Sequence, residues 1–363
     1  MLILGNHKKP LPLQAMSEKK TYTDVNTLGE FGLIDHLTKD VHPKQPSTIK
    51  GIGDDAAVID VGDQYQVIST DMLVEGIHFD LMYSPLKHLG YKSIVVNVSD
   101  IYAMNAIPSQ VTVSIAISSK YTVEALEELY KGIHLACKLY NVDLVGGDTT
   151  SSPKGMTISV TAVGFVDKDK VAFRSTAKQG DIICVTGDLG AAYLGLQILE
   201  REKRIFLENP GVQPDVEEKQ HLLESQLKPE ARRGAVEYFK KNNLVPTSMI
   251  DISDGLASEI HHLCRQSGLG AYIEEGKVPI HPDTEEIAIK FKMDPITCAL
   301  HGGEDYELLF TIAEKDLEKV KYMPDVFLIG EMVGPNDGVT LHTTGGNIHD
   351  IPGDGYNHFE EEK

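Results

Sequence analysis

The stretch GIGDDAAVID, Gly51 to Asp60, decides how the chain is read. Its first six residues fit the Gly-x-Gly-x-x-Ala spacing of a dinucleotide-binding turn, which offers backbone N–H groups to a pyrophosphate. Asp54 and Asp55 stand where that anion would approach, so two anions would face a third. The sequel also differs from a helix opening. AAVIDVGDQYQVIST alternates and is rich in Val and Ile, which predicts two strands joined by a turn at Gly62-Asp63. What a glycine turn with two aspartates holds depends on the carboxylates elsewhere in the chain.

The length of 363 residues is too great for one ordinary core and suits two domains. A hydrophobic fraction of 41% with 32 glycines fits a globular chain with many tight turns. Against 34 Lys+Arg stand 54 Asp+Glu, a formal charge of -20, which argues against a nucleic-acid or anionic-membrane partner and leaves phosphate ligands only if cations accompany them. Cys137, Cys184, Cys264 and Cys298 lie apart in or beside apolar runs, which predicts buried free thiols and a reducing, cytoplasmic setting. The apolar start MLIL is too short for a signal-peptide core, and no run reaches the roughly 18 apolar residues of a membrane span. Residues 1–25 are expected to be a disordered extension, and HFEEEK a solvated tail.

Strand-like and helical runs alternate along the rest. TLGEFGLIDHLTKDV reads as a short helix, QVTVSIAIS as a strand, TVEALEELYKGIHLACKLYNV as a long helix and MTISVTAVGFV as a strand. The polar stretch DKDKVAFRSTAKQGD places a domain boundary near residue 170, giving domains at 26–170 and 171–363. Beyond it, IICVTG reads as a strand, and AAYLGLQILEREKR and PEARRGAVEYFKKN as helices flanking a surface insertion, LENPGVQPDVEEKQ. The absence of a strict βαβ rhythm favours an α+β architecture.

The acidic residues form a pattern. Asp71 follows YQVIST, Asp148 follows VDLVGG, Asp251 and Asp254 punctuate SMIDISDGL, and Glu304 and Asp305 follow CALHGG, so each is expected at the mouth of a buried segment. Asp100 differs. SPLKHLGYKSIVVNVSDIYAMNA is framed by Ser84-Pro85 and Pro108 and reads as a buried helix, in which a lone carboxylate is costly without a cation or donors. Taken singly, a turn or cap is the better reading of each aspartate. Taken together, five or six converging carboxylates would need metal ions, since two of them ~4 Å apart repel by about 4 kcal/mol at an effective dielectric near 20. Hard oxygen donors of this kind choose Mg²⁺ or Ca²⁺ over zinc.

The segments GEFGLI, GIGDDAAVI, STDMLVEGIHF, NVSDIYAMNA, VGGDTT, IDISDGL, GGEDYELLF and GYNHF, in this order, resemble those of the thiamine-monophosphate kinase family. The resemblance implies the two-domain α+β fold shared with aminoimidazole-ribotide synthetase, with the N-terminal sheets of two subunits meeting in a homodimer. It implies transfer of the γ-phosphoryl group of ATP to thiamine monophosphate, assisted by several Mg²⁺ ions and by no general base, because the attacking phosphate oxygen is already anionic. It assigns Asp55, Ser69, Thr70, Asp71, Asp100, Asp148, Asp251 and Asp254 to metal, with Asp55, Asp71 and Asp148 nearest the chemistry. It assigns Gly147, Asp148, Arg174 and Ser253 to ATP, and His78, Glu304 and Tyr356 to the thiamine side. Asp54 is left to orient the turn, so the opening loop is expected to hold cations that in turn hold phosphates.

Without the resemblance, Arg174 reads as a surface arginine, His78 as a core or turn histidine and Tyr356 as a structural tyrosine. Two rivals remain. Another ATP-using enzyme of the fold is one, although a selenophosphate synthetase would want a reactive Cys or selenocysteine near the N-terminus, and the first cysteine here is Cys137. A non-catalytic Mg²⁺-binding protein is the other.

Overall fold

The computed structural model describes residues 23–213 and 219–353. Most of the N-terminal extension, the middle of the insertion, Tyr356 and the acidic tail therefore lie outside the described residues. Helix α1 (Gly29–Thr38) carries GEFGLI in a unit of its own and buries none of its residues. The second unit, from His42, begins with β1 (Thr48–Lys50), β2 (Ala57–Asp60), β3 (Gln64–Val74), α2 (Leu86–Ala103), β4 (Ile107–Ile117), α3 (Val123–Tyr140), β5 (Asp143–Ser151) and β6 (Thr157–Asp167). It continues with β7 (Ile182–Thr186), α4 (Ala191–Glu208), α5 (Gln220–Leu227), α6 (Arg233–Lys241), β8 (Ser248–Asp251), α7 (Leu256–Ser267) and β9 (Gly270–Glu274). The last elements are α8 (Pro282–Lys290), α9 (Pro295–His301), β10 (Leu308–Ile312), α10 (Leu317–Val320), β11 (Val326–Val333), β12 (Val339–His342) and β13 (Ile348–Asp350).

The alternating pattern after Asp55 becomes the β2–β3 hairpin, with Asp60 opposite Tyr65 and Gly62 at φ 104° in the turn. It belongs to a six-stranded sheet of order β1-β2-β3-β6-β4-β5, antiparallel except for β4–β5, which α3 connects. A seven-stranded sheet, β13-β12-β9-β11-β7-β10-β8, forms from the second half. The mixture of strand directions and helices is α+β, as expected from the sequence.

Helix α2 packs on the first sheet, on α3 and on β8. Val95, Val96 and Val98 have weak helix propensity, but burial on several sides outweighs it. Ile94, Val98 and Tyr102 of α2 share one core with Phe239, Met249 and Phe310 from the second half. The helix begins one residue later than Ser84-Pro85 suggested: Pro85, extended, is its N-cap and provides no side-chain cap.

One further expectation changes. Asp71 and Asp148 lie inside β3 and β5, not at their ends, because both strands run on past the polar residues. Directly after the expected insertion comes helix α5, which the sequence reading left unassigned and whose Leu222 packs with Leu194 and Ile198 of α4. All four cysteines are free and buried.

The α2–α3 crossing depends on two glycines. A Cβ on Gly90 would come within 1.9 Å of the Leu129 carbonyl oxygen, and one on Gly132 within 1.9 Å of the Lys87 carbonyl oxygen. Gly132→Ala is therefore expected to lower unfolding stability by about 1–3 kcal/mol by pushing the backbones apart. Urea denaturation reads this directly, and a loss below about 0.5 kcal/mol, the scale of ordinary surface substitutions, would show that the crossing yields easily.

Candidate active site

Three separate segments bring carboxylates together. Asp55 comes from the loop before β2, Asp100 from the last turn of α2 and Asp251 from the end of β8, and one oxygen of each lies within 4.8 Å of the others. Asp100 accepts a hydrogen bond from the Ser69 hydroxyl and shares another with Asp71. The Asp71 backbone N–H is held by Asn97 Oδ1 of α2 at 3.0 Å, which ties β3 to the helix beside Asp100.

The alternation of β3 divides the predicted ligands. Ser69 and Asp71 point to the α2 side, whereas Thr70 points to the other, exposed face, where its hydroxyl donates to the Val160 carbonyl at 3.0 Å. Met72, Ser159, Ser114 and Asp148 stand opposite one another across β3, β6, β4 and β5, so Asp148 shares the face of Thr70. The three strand spacings put Asp148 roughly 14 Å from β3, well apart from the three-carboxylate group. Gly147 lies beside it on the same exposed edge strand.

Arg174 is not the surface residue that its polar context suggested. Its guanidinium pairs with both Asp55 oxygens, Nε to Oδ2 at 3.0 Å and Nη2 to Oδ1 at 2.7 Å. Its backbone N–H reaches Asp54 Oδ1 at 3.2 Å, and Lys50 approaches the other Asp54 oxygen at 3.6 Å. Asp54 thus braces the turn, as expected of it, with Gly53 at φ 102° allowing the reversal.

Ser253 is exposed and Asp254 half-buried in the loop between β8 and α7. The buried Glu259 accepts from the Asp254 N–H at 2.9 Å and stabilises this loop. His78 sits in the turn after β3 with Nδ1 accepting from the Val74 N–H at 3.0 Å, which agrees with the turn reading of that residue. Glu304 is gripped by buried Lys92 at 2.9 Å and by Gln226 Nε2 at 2.6 Å. Asp305 caps α4 by accepting from the N–H groups of Gly190 at 2.9 Å and Ala192 at 3.3 Å, so its task is structural. Glu304 and Tyr306, on either side, have φ values of 67° and 52°, a sparsely populated region for such residues.

Sequence reasoning passed over Lys92, Asn97, Gln226 and Glu259. Lys92 offered a signal, being a lone cation beside the uncharged run from Ser93 to Ser99 of a buried helix. Gln226 offered none, since its partner is 78 residues away.

Burial and mutual repulsion set the electrostatics. Burial, then the Asp55 charge, pushes Asp251 up to about 8. Burial lifts Asp71 to about 6 against the hydrogen bond from Asp100, and burial with the charges of Asp71, Asp251 and Asp55 holds Asp100 well above the usual carboxylate range. Burial, then Asp55, raises Asp54 to about 6. The donor set is all hard oxygen, without His or Cys, and suits a divalent cation of the Mg²⁺ or Ca²⁺ type.

The class follows from comparison of the whole chain. Residues 53–166 match the family described as AIR synthase related protein, N-terminal domain, and residues 178–342 match AIR synthase related protein, C-terminal domain. Within that class, the chain is 33% identical over 344 residues to the thiamine-monophosphate kinase of Bacillus subtilis (strain 168), covering 92% of this chain and 100% of the relative. It is 33% identical over 317 residues to that of Aquifex aeolicus (strain VF5), covering 85% and 96%. The solved structure of AaThiL complexed with AMPPCP and TMP superposes with a TM-score of 0.80 at 32% identity, over 93% of this chain and 100% of that one. The chain belongs to the thiamine-monophosphate kinase family.

The raised carboxylates give a pH prediction. An acid whose folded pKa lies above its unfolded value of about 4 contributes full stability below that value and loses it as pH rises through the folded pKa. For Asp251 this loss runs from about pH 4 to about 8. Without divalent ions, Asp251→Asn should therefore melt higher than the unsubstituted protein at pH 8 and with less advantage at pH 5.5. Added magnesium chloride should raise the melting temperature of the unsubstituted protein more at pH 8 than at pH 5.5. Equal magnesium shifts at both pH values would contradict this origin of the raised pKa.

Proposed function

We propose that this chain transfers the γ-phosphoryl group of ATP to thiamine monophosphate, giving thiamine diphosphate and ADP. The carrying observation is the three-carboxylate group in a chain that matches thiamine-monophosphate kinases over nearly their whole length. Mg²⁺ is the proposed ion, held by Asp55, Asp100 and Asp251 with Ser69 and Asp71 beside them and Asp254 at the next loop. When bound, it supplies the positive charge that lets two polyanions come together.

The chain's own residues orient and confine. Arg174 holds Asp55 in place, and Asn97 fixes Asp71 next to Asp100. An oxygen of the acceptor phosphate attacks the γ-phosphorus as the bond from that phosphorus to the β–γ bridging oxygen breaks, and ADP leaves with the electron pair. The attacking oxygen carries its charge already, so the site needs no general base. We assign Gly147, Asp148, Arg174 and Ser253 to ATP, and His78, Glu304 and Tyr356 to the acceptor. Residues 26–170 form the nucleotide, metal and dimerisation half and residues 171–363 the second α+β half. Among the described residues no helix is long and apolar enough to cross a membrane, and the free thiols agree with a cytoplasmic enzyme.

A homodimer is part of the proposal. The face of the first sheet that carries Thr70 and Asp148 is not buried, and Met72 on it is 56% exposed. Contact through this face gives Thr70 and Asp148 a route to a phosphate site shared with a second copy. Met72→Glu should then convert a dimer to a monomer in sedimentation velocity and lower turnover with it. A monomeric parent protein with full activity would refute the interface.

The reaction is tested by ADP release with ATP, Mg²⁺ and, in turn, thiamine monophosphate, thiamine or aminoimidazole-pathway substrates. Only thiamine monophosphate should support turnover. Release with an aminoimidazole substrate would favour a relative of the same fold, and magnesium binding without turnover a non-catalytic protein. Asp71→Asn should cost roughly 10² to 10³ in rate, as for loss of a preorganised transition-state contact, while its melting temperature holds or rises. Near-normal turnover in this variant would reduce Asp71 to a structural residue.

A further inference from the structure

Glu259 is buried, and the proposed reaction gives it no task. It stands in the first turn of α7, a helix that starts after Gly255 without a side-chain cap. Its side chain reaches back along the chain instead, where Oε1 accepts from the Asp254 N–H at 2.9 Å and, at the limit of a hydrogen bond, from the Ser253 hydroxyl at 3.5 Å. Asp254, Arg174 and Asp251 are near enough for their charges to act on it. A loop that needed only a cap could use a short hydroxyl or amide side chain, as helix starts usually do. Here a carboxyl group is set among aspartates, at a cost in repulsion, and spans a distance that the short capping residues do not.

The other side of the same loop is fixed by backbone. The Glu304 N–H donates to the Ser253 carbonyl at 2.7 Å, and the Tyr306 N–H to the Ile252 carbonyl at 2.8 Å. The two segments lie so close that a Cβ on Gly303 would come within 2.3 Å of the Ser253 carbonyl oxygen, and one on Gly255, at φ 105°, within 2.7 Å of the Leu300 carbonyl oxygen. Glu304 has anchors of its own in Lys92 and Gln226. The segment from Gly302 to Glu304 is therefore a fixed wall, and Glu259 is the group on the α7 side that holds Ser253 and Asp254 against it. Arg174 is fixed nearby: its carbonyl accepts from the Ser248 hydroxyl at 2.9 Å and the Ser267 hydroxyl at 3.2 Å, and its guanidinium is committed to Asp55.

We propose that Glu259 is a positioning residue for the nucleotide side of the site: by accepting from the Asp254 N–H it sets where the Asp254 carboxylate and the Ser253 hydroxyl meet Mg²⁺ and ATP. The proposal rests on the kinase reading above, which gives those two residues their tasks. Glu259 acts through them and touches neither ion nor nucleotide, as the outer partners of metal ligands do. Gly255 makes the bond necessary, because a residue without Cβ leaves the backbone free to turn at the start of α7. Reach, not charge, is what the role demands, since any oxygen at the same distance accepts from the N–H equally well.

Two substitutions in the full chain separate reach from charge. Glu259→Gln keeps an oxygen at the same distance and removes the charge, whereas Glu259→Asp keeps the charge and draws it back by one methylene. Calorimetry with Mg²⁺ and an ATP analogue carrying a methylene β–γ bridge reads binding without turnover. Glu259→Asp should weaken that binding by about tenfold or more, and Glu259→Gln should stay within about threefold of the unsubstituted protein. KM for ATP should follow the same order while KM for thiamine monophosphate stays within about twofold in both variants, because Glu304 keeps its own anchors. Should Glu259→Asp melt below the assay temperature, Glu259→Met, of similar length without the oxygen, takes its place and should show the same loss. A purely structural Glu259 would lower the melting temperature and leave the affinity of the folded protein unchanged. Equal affinity in the unsubstituted protein and the variants, or a loss in Glu259→Gln as large as in Glu259→Asp, overturns the proposal. An unsubstituted protein that binds the analogue without phosphorylating thiamine monophosphate would sink the kinase reading, and the contrast between the two variants in binding would still uphold the role of Glu259.

Discussion

Asp55, Asp100 and Asp251 repel one another, and the fold holds them together regardless. At separations of 4 to 5 Å, each pair of charges costs about 3–4 kcal/mol at an effective dielectric near 20. Asp100 is worse placed still, because it sits in the last turn of α2, where the helix dipole disfavours negative charge. No local preference would assemble this group. It is imposed by packing: α2 is buried against the first sheet, α3 and β8, and the β8 contact brings the strand that ends in Asp251 against it. Burial is the first cause of the raised pKa values of Asp251, Asp71 and Asp100, and the neighbouring carboxylate charges add to it for Asp251 and Asp100.

Helix α2 organises more than one carboxylate. Lys92 anchors Glu304, Asn97 anchors the Asp71 backbone, and Asp100 joins the acidic group. Spaced along one rigid element, these residues fix the loop that carries Glu304 and strand β3 relative to each other. The Gly90–Gly132 approach, far from the chemistry, sets where that element lies against α3. A helix backed so closely by another has little room to shift, so the spacing among its three polar residues is preserved.

Much of this was legible in the sequence for identifiable reasons. Alternation around Gly62 announced the β2–β3 hairpin, and the prolines flanking residues 86–107 framed α2 despite its valines. The carboxylates could be seen as a set because each broke an otherwise apolar run. What the sequence could not show was parity. Ser69, Thr70 and Asp71 look like one cluster, yet a period of two sends Thr70 to the opposite face, and only the register across β6 and β4 reveals that Asp148 goes with it. Arg174 was misread because its polar neighbourhood resembles a linker, while its partner, Asp55, is 119 residues distant. Helix α5 was hidden by the Pro- and Gly-rich residues before it.

The same geometry accounts for a chain of charge -20 that is proposed to bind two polyanions. Screening limits the repulsion of distant carboxylates to about 8 Å at physiological salt, so the groups at the site decide the matter. Its cationic side chains are already engaged: Arg174 by Asp55, Lys50 by Asp54 and Lys92 by Glu304. Turning Lys50 or Lys92 fully toward a phosphate would strand a carboxylate that is wholly or largely buried, which is strongly destabilising, and Arg174 can reach ATP only while it keeps Asp55. On the proposed function, most of the positive charge for the phosphates would arrive with bound cations, for which the three converging carboxylates are the proposed seat. The glycine turn with two aspartates is part of that arrangement: Asp54 braces it, and Asp55 joins the three-carboxylate group.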